Sequence, residues 1–152
     1  MIVFLIAMFF IISCAQQAQI VNDNQTNLIR NADMIRNGNN HTLELETSEV
    51  DYGPATGFLA QPKEPGNYPG IVMIHEWIGL NDYVKEMARQ LVAEGYVVLA
   101  VDLYDGKVAK DATQARELST KVRNNIPNAV SNMKAAVEYL KNIDKVDDGK
   151  IA

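Results

Sequence analysis

With 152 residues, 47% of them apolar, and 14 basic against 19 acidic side chains for a net charge of −5, the chain has room for one globular domain. No basic cluster answers a phosphate backbone, so no nucleic-acid partner is expected. Its lone cysteine, Cys14, and two histidines, His41 and His75, exclude a disulfide framework and supply no metal-ligand set.

Residues 1–12 (MIVFLIAMFFII) are an unbroken apolar run that gives way to polar residues after Cys14. As a helix this run would rise about 18 Å, short of the ~30 Å hydrocarbon layer that a spanning helix crosses. A signal-peptide core fits better. Ile11-Ile12-Ser13-Cys14 resembles a prokaryotic lipobox, which implies that Cys14 carries lipid and becomes the mature N-terminus. No Lys or Arg precedes the run, so a misplaced start, a plain signal peptide and a short anchor stay open. Residues 1–14 are therefore expected to be a signal peptide or lipobox. The protein is placed outside the cytoplasm, either as a membrane-anchored lipoprotein or secreted or periplasmic. Residues 15–40 are rich in Asn and Gln without apolar periodicity and read as a flexible tether. Asn24-Gln25-Thr26 and Asn40-His41-Thr42 match the N-glycosylation pattern, which matters only in a host that glycosylates exported proteins.

The folded part is expected over 41–152. Alternation around Leu43, Leu45 and Val50 predicts a half-exposed strand over 41–51. Gly53-Pro54 then turns the chain into a second short strand through 56–60. Residues 69–75 are continuously apolar and β-branched, the pattern of a strand covered on both faces in a parallel sheet. Beyond Gly79, Asn81 or Asp82 can cap a helix whose Val84, Met87, Ala88, Leu91 and Val92 share one face, and Gly95 ends it. Residues 96–101 form a second all-apolar strand, which completes a right-handed strand-helix-strand crossover. One further helix is marked by Ala112, Ala115, Leu118 and Val122. Another starts near Pro127 with Val130, Met133, Val137 and Leu140 along one face. Lys150-Ile151-Ala152 looks like the start of another buried strand.

The chemistry concentrates at His75-Glu76-Trp77-Ile78-Gly79-Leu80-Asn81-Asp82, at the C-terminal end of a buried strand, where α/β proteins place their ligand crevices. The ordered set of an apolar strand, His-Glu-Trp-x-Gly-Leu-Asn, a helix ending in Ala93-Glu94-Gly95-Tyr96 and a strand running into Asp102-Leu103-Tyr104 resembles the first half of the dienelactone hydrolase family. The resemblance covers about residues 42–152. It implies an α/β-hydrolase fold, three layers around a mostly parallel sheet, and a Cys-His-Asp hydrolase of esters or lactones, with no metal or organic cofactor, whose nucleophile stands on a Gly-x-Cys-x-Gly elbow. The chain contains no such elbow, and the family pattern puts it just beyond Ala152, with the triad Asp and His later still. The chain is thus expected to be truncated before the nucleophile strand and elbow, and inactive by itself.

What carries over is confined to supporting residues. Glu76 matches the family carboxylate that rests beside the thiol and takes part in its activation. Trp77 matches the position whose backbone N–H helps form the oxyanion hole, its indole walling the pocket. His75 stands too early in the chain to be the triad base and is read as a shaping or hydrogen-bonding residue at the substrate site. Asp102 and Tyr104 match a family Asp-Leu-Tyr and are expected to fix a loop, with Tyr104 also a candidate substrate contact. In the family's type member an arginine soon after this tyrosine binds a substrate carboxylate. Here Lys107 could replace it only as a point charge, so preference for dienelactone itself is not implied. The partner expected is a small-molecule ester or lactone, with the membrane a second partner through the N-terminus. A different class of reading, a non-catalytic exported half-domain serving as a pseudoenzyme or binding module, stays open. A nucleotide-binding Rossmann domain is set aside because no Gly-x-Gly-x-x-Gly follows either buried strand.

Overall fold

A computed structural model describes residues 43–152, which belong to a compact unit running from Thr42 to Ala152. The expectations for Cys14, the signal segment, the tether and the two glycosylation motifs lie outside the described residues. Five strands form one sheet: β1 (Leu45–Asp51), β2 (Thr56–Pro62), β3 (Tyr68–Ile74), β4 (Val97–Val101) and β5 (Val146–Ile151), in the spatial order β1-β2-β4-β3-β5. The β1–β2 and β2–β4 pairs are antiparallel, while β3 pairs in parallel with both β4 and β5. Three helices complete the unit: α1 (Asp82–Ala93), α2 (Ala112–Arg123) and α3 (Ile126–Lys141).

β4 organises the core because all five of its residues are buried. Alternation along the strand sends Val98 and Ala100 to one face, against Val84, Ala88 and Val92 of α1, and Val97, Leu99 and Val101 to the other, against Ala136 and Leu140 of α3. The result is a helix-sheet-helix sandwich. Each fully buried Val or Leu in such a strand contributes roughly 1.5–3 kcal/mol. A third cluster, Tyr104, Ala109, Ala115 and Leu118, packs α2 beneath the chain that leaves β4.

α1 starts where capping chemistry says it should. Asn81 is extended at its N-cap and its side-chain oxygen accepts the Val84 N–H at 3.0 Å. α3 begins one residue before Pro127, with Asn125 as its cap. Its buried face differs from the one that hydrophobicity suggested. Ala129, Asn132, Ala136 and Leu140 face inward, whereas Val130 is exposed and Met133 and Val137 are only partly covered. Small alanines permit close approach to the sheet, and Asn132 is needed inside for its hydrogen bonds, so bulk and polarity at these positions mislead a purely apolar count.

β5 is an interrupted strand, and it is not the buried one expected at 150–152: only Val146 is buried, while Asp148, Gly149 and Lys150 are exposed. Val146 and Asp147 pair with Tyr68 and Pro69, and pairing resumes only at Ile151 with Gly70. Ala152 extends this ladder, its N–H donating to the Gly70 carbonyl at 3.0 Å and its carbonyl accepting the Val72 N–H at 2.8 Å. The chain at Ala152 is therefore aligned beside β3 and running toward that strand's C-terminal end.

Candidate functional site

Two loops leave the C-terminal ends of the neighbouring parallel strands β3 and β4, residues 75–81 and 102–111, and are stitched together. The Ala109 N–H donates to the Ile78 carbonyl at 2.8 Å, and the Tyr104 hydroxyl donates to the Trp77 carbonyl at 3.1 Å. Gly79 makes this approach possible. Its φ is +108°, and a Cβ built there would stand 2.7 Å from the Lys107 carbonyl oxygen.

His75 is buried, 8% exposed, and both of its ring nitrogens are engaged by backbone. Nε2 accepts the Leu103 N–H at 3.1 Å, and Nδ1 lies 2.7 Å from the Glu76 carbonyl oxygen. An acceptor at Nε2 and a carbonyl at Nδ1 assign the neutral tautomer with its proton on Nδ1. The Tyr104 ring stands edge-on to the imidazole, centroids 4.5 Å apart, and an Asp102 carboxylate oxygen lies 4.0 Å from Nε2. His75 therefore shapes the loop, and neither ring nitrogen is left over for a substrate.

Glu76 and Trp77 project from the same loop into solvent. The Glu76 carboxylate has no ion pair or hydrogen bond with another of the described residues, and the Trp77 backbone N–H likewise has no partner among them. Both can therefore meet an incoming group. The carbonyls on either side of that N–H are held: Glu76 O accepts from the Gly79 N–H at 3.1 Å in addition to His75, and Trp77 O accepts from Tyr104.

Asp102 closes the β4 end. One carboxylate oxygen accepts the Tyr104 N–H at 2.7 Å and the other accepts the Gly106 N–H, while the Asp102 carbonyl accepts from Asn132 Nδ2 at 3.2 Å. The Asn132 side-chain oxygen in turn accepts the Tyr52 hydroxyl at 2.6 Å, a bond buried between α3 and the β1–β2 connection. Burial pushes the Tyr52 phenol up to about 12 and raises that of Tyr104 as well. Tyr104 is thus buried and hydrogen-bonded to the chain itself. Lys107 is exposed, and no ion pair among the described residues involves it.

Asn132 and Tyr52 are the members of this network that the sequence did not single out. They are 80 residues apart, and neither sits in a local motif. A cleft lined by Asp102, Asp105, Lys121, Asn125 and Asn128 lies against α2 and α3, and neither Glu76 nor Trp77 lines it. Among the described residues no cluster of three His, Cys, Asp or Glu side chains could hold a metal ion.

Comparison with known proteins places the site in context. A family model described as "Dienelactone hydrolase family" matches residues 55–152. "Protein usf" of Aquifex pyrophilus is 38% identical over 89 residues, covering 56% of this chain and 38% of the relative. A Methylorubrum extorquens protein named "Putative carboxymethylenebutenolidase" is 30% identical over 103 residues, covering 65% of this chain and 35% of the relative. The crystal structure of a dienelactone hydrolase-like promiscuous phosphotriesterase from metagenomic libraries superposes with a TM-score of 0.61 at 25% identity, covering 72% of this chain and 47% of that one. The chain spans under half the length of each of these relatives.

Proposed function

The chain belongs to the dienelactone hydrolase family, whose members act on small-molecule esters and lactones, and from that premise we propose that it supplies the carboxylate and oxyanion-binding half of such a hydrolase. The observation that carries this reading is the Trp77 N–H, which, like the Glu76 carboxylate next to it just past the C-terminal end of β3, has no partner among the described residues. A carbonyl carbon attacked by a nucleophile gathers negative charge on its oxygen, and an N–H already fixed in place stabilises that oxygen without reorganising. Glu76 accepts the proton of the attacking thiol, so the thiolate forms where it is used.

The nucleophile belongs to sequence following Ala152. Ala152 is bonded between Gly70 and Val72, level with Ile71 and five residues short of Glu76, which follows the end of β3. A strand continuing at ~3.3 Å per residue draws level with Glu76 within about four or five residues, where a strand-to-helix elbow would present its thiol to the carboxylate. Lys107 lies on the second loop as a point charge suited to an anionic substrate group. The apolar leader and Cys14 support export with a lipid or signal anchor, which metabolic labelling with a fatty acid would test against a Cys14→Ser control.

The 152-residue chain, without a nucleophile, is expected to hydrolyse a simple aryl ester no faster than buffer does. Turnover that disappears in Glu76→Ala would contradict the assignment, because the chain would then hold a complete catalytic apparatus of another kind.

A further inference from the structure

We propose that His75 is a positioning residue that holds the Glu76–Trp77 peptide so that its N–H points into the site, an inference that rests on the oxyanion role given above to Trp77. In a trans peptide the C=O and N–H point in opposite directions, so fixing one end aims the other. The Glu76 carbonyl is fixed twice, by His75 Nδ1–H at 2.7 Å and by the Gly79 N–H at 3.1 Å. The N–H at the other end of the same peptide has no partner among the described residues. Donation to a carbonyl also polarises the amide and strengthens its N–H as a donor.

The imidazole can do this only while it is itself held. Leu103 N–H to Nε2 fixes its tautomer and ties it to β4's loop, and the Tyr104 ring packs edge-on against it. Tyr104 then secures the following peptide through the Trp77 carbonyl. A neutral histidine is well suited to the position, since one rigid ring must donate at Nδ1 and accept at Nε2, which an ammonium or guanidinium cannot do. The arrangement makes Leu103 and Tyr104 of the second loop part of the oxyanion apparatus without either of them touching a substrate.

The test uses the full 152-residue chain labelled with nitrogen-15. The imidazole nitrogen shifts of the unaltered protein should report a protonated Nδ1 and an unprotonated Nε2, and the Trp77 amide should be rigid, with an order parameter near ~0.85. In His75→Ala the Trp77 order parameter should fall below about 0.6, and His75→Asn, whose amide nitrogen can occupy the Nδ1 position, should restore it. An Nε2–H tautomer in the unaltered chain, or a Trp77 amide equally rigid in all three proteins, would overturn the proposal. So would an asparagine variant no better than alanine. The tautomer needs no variant and so survives a misfolded mutant. These readouts need no turnover, so the clamp can stand if the hydrolase assignment fails, and can fail while that assignment stands.

Discussion

Tyr52 and Asn132 show how much a single buried contact can fix. Their hydrogen bond couples α3 to the β1–β2 connection, and Asn132 passes the constraint to Asp102, whose carboxylate caps the turn bearing Tyr104. Tyr52→Phe would leave the Asn132 oxygen without its donor inside the core, at a cost of roughly 1–3 kcal/mol at neutral pH in a urea titration. The bond also has a pH signature. Because the folded phenol titrates near 12, above its ordinary value of 10.0, the folded state keeps the proton longer than the unfolded chain does. Its contribution is complete below pH 10 and is lost as pH rises from about 10 toward 12. Denaturation midpoints across that range should fall in the unaltered protein and fall less in Tyr52→Phe. Gly79 has a similar leverage over the site: Gly79→Ala combines a positive φ with a Cβ pressed on the Lys107 carbonyl, and should cost about 1–3 kcal/mol while loosening both loops. Glu76 and Trp77 could be singled out in the sequence because they follow an apolar strand in a dense local motif. Tyr52 and Asn132 could not, because the contact that gives each its meaning is made across 80 residues.

At the scale of elements, β3, α1 and β4 were legible because each obeys one period. β4 is apolar and buried throughout, β3 has its apolar run over 71–74 but is only partly covered where burial on both faces was expected, and α1 repeats its buried Val84, Ala88 and Val92 every fourth residue behind an Asn81 cap. Asn81→Ala should remove the Val84 bond and cost about 1 kcal/mol in thermal or urea unfolding. α3 was legible as a helix but not in its orientation. Two of its large apolar residues, Val130 and Met133, are not among those buried against the sheet, and the fully buried positions include, beside Leu140, an alanine of 0% exposure, Ala136. Paired substitutions separate the two faces. Ala136→Asp forces a charge against β4's buried side and should abolish cooperative unfolding, whereas Val130→Asp should shift stability by less than about 0.5–1 kcal/mol. β5 was legible only as an approaching strand. Its interruption between Asp147 and Ile151 depends on how Pro69 and Gly70 meet it, and one strand's sequence does not contain its partner's register.

For the whole molecule, the sandwich brings two crossover loops to one end of a parallel pair and aligns Ala152 with the strand that leads into Glu76. Fold and candidate site therefore share a cause: β4 is buried on both faces, so everything polar is expelled to the strand ends, where His75 and Asp102 are buried but fully bonded and Glu76 and Trp77 are left exposed. The measurement that bears most directly on the account is the hydrolysis of a simple aryl ester by protein expressed from the coding sequence read on past codon 152, with Glu76 intact and as Glu76→Gln. Turnover is expected that a thiol reagent blocks and that falls by ~100-fold or more in the variant, the range for a positioned proton-transfer group. Absence of turnover in the protein with Glu76 intact, or turnover indifferent to Glu76→Gln, would contradict it.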